Sequence, residues 1–129
     1  MSDTTTPMVT GTDFVTVPTK DIAAAEAFYG GVLGLRFAKR WGKMPGAEYE
    51  TGTLTLAIME PEAFGGEFQR SGSAIALHVD DVAARRRQLE AEGVTFFGDT
   101  IDSGVCFQAF FADPDGNPLI LHHRYAPPA

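Results

Sequence analysis

One rhythm, played twice, limits what this chain can become. An alternating β-branched stretch, Asp13-Phe14-Val15-Thr16-Val17-Pro18, stops at a proline and is followed by Asp21, a helix-capping residue. A helical pattern over 22–33 then ends at Gly34, with Ile22, Ala25, Tyr29 and Leu33 on one stripe. Three extended stretches follow, at 35–41, 47–51 and 53–60. The pattern then restarts. Ala74 to Val79 reads as a strand, Asp80-Asp81 supplies a cap, and a helix carrying Val82, Arg86 and Leu89 ends at Glu92-Gly93. Later strands are read at 94–97, 105–112 and 119–123, with one strand of this half only weakly marked. Setting Asp21 on Asp81 gives an offset of 60 residues (81 − 21), and Gly34 and Gly93 fall within one residue of it. The halves share little identity; their common order is βαβββ.

A chain of 129 residues suits one compact domain or two small fused units. Its 44% apolar residues suffice for a core, and 14 Gly and 8 Pro imply many turns and short elements. No apolar run approaches the roughly 18–20 residues needed to cross a bilayer, so no membrane partner is expected. Met1 to Thr12 is polar and Thr-rich, without the basic and apolar regions of a signal peptide. It reads as a tail, as does Ala126 to Ala129. The formal charge of −7 argues against a nucleic-acid partner. Arg85, Arg86 and Arg87 are read as the solvated face of a helix. The single Cys106 excludes an internal disulfide, sits in an apolar run as a buried structural thiol, and fits a cytoplasmic location.

Three segments resemble the vicinal-oxygen-chelate superfamily, which includes glyoxalase I, extradiol dioxygenases, fosfomycin-resistance enzymes and bleomycin-binding proteins. They are Val17-Pro18 with Asp21-Ile22, Ala27-Phe28-Tyr29 and Val32-Leu33-Gly34-Leu35; Leu77-His78-Val79-Asp80-Asp81-Val82 with Gly93-Val94; and Phe111-Ala112-Asp113-Pro114-Asp115-Gly116-Asn117. The resemblance implies an α+β fold of two βαβββ units, forming a curved mixed-sheet cup with helices outside. The units would span 12–60 and 73–125, joined by a connector at 61–72, in a single domain over 1–129. It also implies where metal-using members place ligands, and those positions fall on Phe14, Thr55, Ala74 and Ile120. Phenyl, hydroxyl, methyl and branched alkyl groups do not chelate a divalent ion. A one-residue slip offers only Asp13, on the opposite face. No metal site and no cofactor are therefore expected.

Period-two geometry extends the lining. Phe14, Thr16, Thr55 and Ala57 would line the cup from the first unit. Ala74, Ala76, His78, Ile120 and His122 would line it from the second. His122 and His123 point to opposite faces, so they cannot both enter it. Trp41 would offer a flat platform beside the cup. Phe64 and Phe68 would close a lid or plug a gap between units, whereas Asp113 and Asp115 are turn formers. The lining is mostly apolar, as small-molecule pockets are. The reading placed first is metal-independent binding of a small, largely apolar or aromatic molecule, as in antibiotic sequestration. A second is a glyoxalase- or dioxygenase-like enzyme, a lyase or isomerase among its forms. It would use His78 or His122 as acid or base, or a relocated metal site with Asp80 or Glu60. A third is an interaction module whose cup is filled by its own side chains, Phe14 among them. A homodimer is expected by analogy with the family, with units exchanged between chains as one arrangement.

Overall fold

The computed structural model describes residues 6–127; parts of both terminal tails, residues 1–5 and 128–129, lie outside the described residues. Among the described residues, eight strands and two α-helices follow the expected order. The first unit contains β1 (Phe14–Pro18), α1 (Ile22–Glu26), β2 (Arg36–Arg40), β3 (Gly46–Glu50) and β4 (Thr55–Met59). The second contains β5 (Ile75–His78), α2 (Val82–Ala91), β6 (Phe96–Asp102), β7 (Cys106–Ala112) and β8 (Pro118–Arg124). Each unit forms its own four-stranded sheet, in the orders β1-β4-β3-β2 and β5-β8-β7-β6. In both, the first strand pairs in parallel with the last, and the remaining pairs are antiparallel. The weakly marked strand of the second half is β6. It begins two residues later than read and runs to Asp102, because a register shift between Phe97 and Ile101 breaks its alternation.

Both caps are formed. The Asp21 carboxylate accepts from the backbone N–H groups of Ala23 and Ala24, and that of Asp81 accepts from Ala84. The first helix departs from the regular form expected of it. After Glu26 it widens into a π-helix over Ala27–Val32, and the Leu33 N–H donates to the Phe28 carbonyl at 2.8 Å. Gly30 shows why a small residue stands there: a Cβ would come 3.0 Å from the Tyr49 ring.

The helix-bearing faces of the two sheets feed one core. Val17, Tyr49, Leu56 and Ile58 enter it from the first sheet, and Phe96, Phe111, Leu119 and Leu121 from the second. The opposite face of each sheet looks away from that core. The units are latched by the turn at 113–117. Buried Asp113 accepts from the Tyr29 hydroxyl at 2.7 Å, Asp115 accepts from the Thr19 hydroxyl at 2.6 Å, and Asn117 donates to the Pro18 carbonyl at 2.8 Å. No helix among the described residues is long and apolar enough to cross a membrane.

The arginine run is not uniformly a solvated face. Arg86 is largely covered, with its guanidinium 4.8 Å from the centre of the Phe96 ring. It donates to the Gly98 carbonyl at 2.9 Å and the Thr100 hydroxyl at 3.2 Å, pinning the irregular stretch of β6 to α2. Arg86→Ala is therefore expected to cost about 1.5–2.5 kcal/mol through lost hydrogen bonds and stacking. Exposed Arg87→Ala should stay within about 0.5 kcal/mol. Urea titration of both variants checks this, and equal losses would remove the anchoring role.

Candidate functional site

The outward face of the first sheet is built in two rows. Strand register sets Arg36, Glu50, Thr55 and Phe14 side by side, and below them Lys39, Glu48, Ala57 and Thr16. Phe14 is 58% exposed, while Ala57, small and central, is 1% exposed. The Thr55 hydroxyl donates to Glu50 Oε1 at 2.8 Å. Trp41 lies across this face in the space that a side chain at position 46 would fill: a Cβ on Gly46 would fall 2.2 Å from the indole. The indole N–H donates to Glu48 Oε2 at 2.7 Å, and Lys39 stands 3.8 Å from the same carboxylate. Phe64 meets Trp41 edge-on at 5.8 Å between ring centres. Phe68 lies under the Lys20 ammonium, 5.0 Å from the ring centre.

The outward face of the second sheet has matching rows. His78, His122, Gln108 and Ile101 form one; Ala76, Ile120, Phe110 and Phe97 form the other. Ala74 is exposed just before β5. Phe97 is 61% and Ile101 50% exposed, so this face is the more apolar of the two. Its histidine edge is more complex than strand alternation suggests. The His78 ring lies 5.7 Å from that of His123, whose Nδ1 is 3.1 Å from the Val79 carbonyl oxygen. Cys106 is a buried free thiol beside the Ser103 hydroxyl at 3.2 Å.

The candidate residues thus fall into two groups on two sheets. Phe14, Thr16, Trp41, Thr55 and Ala57 stand on the first, and Ala74, Ala76, His78, Ile120 and His122 on or beside the second. No side-chain hydrogen bond among the described residues joins the groups. The sequence reading missed Glu48, Glu50, Gln108, Phe110 and Phe97. The signal was present in Gly46-Ala47-Glu48-Tyr49-Glu50, where Ala47 and Tyr49 enter the core and the glutamates point away.

At the four positions that the resemblance implies, the side chains do not fit a divalent metal. Phe14, Ala74 and Ile120 carry no donor atom. Thr55 offers a neutral hydroxyl already engaged with Glu50. The carboxylates considered for a relocated site have other partners. Glu60 accepts from the Ile22 N–H at 2.9 Å, and Asp80 pairs with Arg85, whose hydrogen bonds hold its carboxyl below the usual range. Among the described residues, no three His, Cys, Asp or Glu side chains converge.

Comparison with known proteins places this geometry. The chain is similar in structure to TnmS3, an antibiotic binding protein from Streptomyces sp. CB03234, with a TM-score of 0.75, 23% identity, and coverage of 92% of this chain and 99% of that one. It is also similar to a member of the glyoxalase/bleomycin resistance protein/dioxygenase superfamily from Sphaerobacter thermophilus, with a TM-score of 0.75, 22% identity, and coverage of 90% and 98%. A lactoylglutathione lyase from Agrobacterium tumefaciens gives 0.73, 19%, 90% and 95%. No curated protein matches the sequence. The Glyoxalase/Bleomycin resistance protein/Dioxygenase superfamily profile matches residues 11–121, and with two βαβββ units in sequence and structure, the chain belongs to that superfamily.

Proposed function

We propose that the protein holds a small, largely apolar or aromatic molecule without a metal, sequestering it rather than transforming it. The observation that carries this is the pair of outward faces. They bear open aromatic area at Phe14 and Phe97 and a propped indole at Trp41, with no chelating side chain at the four expected positions. The fold likeness to an antibiotic binding protein supports this reading.

In a single chain Phe14, Phe97 and Ile101 stay exposed, and exposed apolar side chains grouped on a face favour a partner. The arrangement we favour is a homodimer with exchanged units, in which the first-unit face of one copy meets the second-unit face of the other. Phe14, Thr16, Trp41, Thr55 and Ala57 would then face Ala74, Ala76, His78, Ile120 and His122 across one cup. Glu48 and Glu50 would supply its polar contacts. A single, buried Cys106 suits a cytoplasmic location.

The test joins three measurements on the purified protein. Mass spectrometry should find far less than one Zn, Ni, Mn or Fe per chain. Light scattering should give the mass of a dimer. A thermal-shift screen of flat natural products should give hits whose affinity falls about tenfold in Phe14→Ala, equivalent to about 1.4 kcal/mol. Stability should barely change, because Phe14 is exposed. Stoichiometric metal would overturn the metal-free reading, and a screen without hits would overturn the binding role.

A further inference from the structure

A cavity lies on the inward side of the second sheet, between the units. It measures about 150 Å³. Leu33 and Leu35 wall it from the first unit; Leu77, Leu89 and Leu121 wall it from the second. Leu77 and Leu121 belong to the inward face, so this space is distinct from the outward face that carries Ala76, Ile120 and His122. Val32, the last residue of the π-helix, also borders it, and single π-turns recur where helices shape functional sites.

The polar groups gather at the mouth. Arg85, Gln88 and His78 are exposed and line the cavity, and the Arg85 guanidinium donates to the Gln88 side-chain oxygen at 3.0 Å. Asp80 fixes the same guanidinium through contacts of 3.1 and 3.3 Å. The rim is thus ordered, and its positive charge already has a carboxylate partner. An anion gains little there. The leucine walls offer a water no hydrogen bond, and a space of about 150 Å³ is large enough for benzene or xenon.

We infer that this cavity is a second binding site, taking a neutral molecule the size of one aromatic ring, with Arg85 and Gln88 as its rim. It meets the outward lining only at His78, and its other walls are different residues. The probe is benzene, added to the whole protein during thermal unfolding. At ten times its Kd it should raise Tm by about 4 °C. Leu35→Phe, which fills the space from the first unit, should abolish that shift. Gln88→Trp, at an exposed helix position that spares folding, should weaken benzene at least tenfold by covering the mouth, and it carries the test if Leu35→Phe does not fold. Absence of a shift in the unaltered protein would overturn the inference. So would an equal shift in Gln88→Trp, since benzene would then be bound elsewhere.

Discussion

Asp113→Ala is expected to lower the unfolding free energy by about 3–5 kcal/mol, the range for stripping the acceptor from several buried donors at once. The Asp113 side chain accepts four hydrogen bonds. Oδ2 takes the Tyr29 hydroxyl at 2.7 Å and the Asn117 amide at 2.8 Å, and Oδ1 takes the backbone N–H groups of Asp115 and Asn117, both at 2.9 Å. Tyr29 is fully buried and Asn117 nearly so, so water cannot replace the lost acceptor. The turn would also lose the geometry that aims Asp115 at Thr19 and Asn117 at Pro18, so the damage reaches the contact between units. Asp113→Asn should also cost about 2 kcal/mol or more, because one oxygen becomes a donor facing donors. Exposed Asp99→Ala is the control, expected within about 0.5 kcal/mol. Urea unfolding decides it; a loss below 1 kcal/mol for Asp113→Ala would show that the turn does not hold the units together.

This turn shows what the sequence made legible and what it hid. Asp113-Pro114-Asp115-Gly116-Asn117 reads as a turn from local chemistry alone, and the chain does turn there. Its second role depends on Tyr29, 84 residues away, and on Thr19, 96 residues from Asp115. No local pattern encodes such partners. The strand order was legible for the same local reason: alternation and caps are properties of neighbouring residues. The π-helix was half legible. Gly30-Gly31 marked a weak last turn, but the Tyr49 ring that packs against Gly30 there is distant in sequence. On the candidate site, alternation gave the faces of β1, β5 and β8 but passed over Glu48 and Glu50, although β3 alternates as cleanly. Trp41 was legible as an aromatic near the cup, whereas its seat over Gly46 was not. That seat depends on β2 and β3 returning side by side through the turn at 41–46.

The buried tyrosine of the same network leads to the second large effect, loss of stability in alkali. Burial pushes the Tyr29 phenol far above the ordinary tyrosine value of 10.0, and the charge of Asp113, its hydrogen bond and the charge of Asp115 push the same way. The folded state therefore keeps this proton where the unfolded chain releases it. Stability is complete below pH about 10 and falls above it, at about 1.4 kcal/mol per pH unit for one such group. Because the folded value is raised so far, the phenol should ionise through unfolding rather than in place. Between pH 10 and 11.5 the unaltered protein should lose about 2 kcal/mol from Tyr29 alone. Tyr49, raised by burial ahead of the charge of Glu26, and Tyr125, raised by its hydrogen bond to Asp102, act in the same direction. Tyr29→Phe should begin about 1–2 kcal/mol less stable at pH 8, because Asp113 loses a donor. It should then fall less steeply, so the two stability curves converge as pH rises. Urea titrations at pH 8, 10 and 11, with tyrosinate absorbance followed during alkaline unfolding, measure both slopes. Parallel curves for the two proteins would show that the Tyr29 proton is not what links the units to pH.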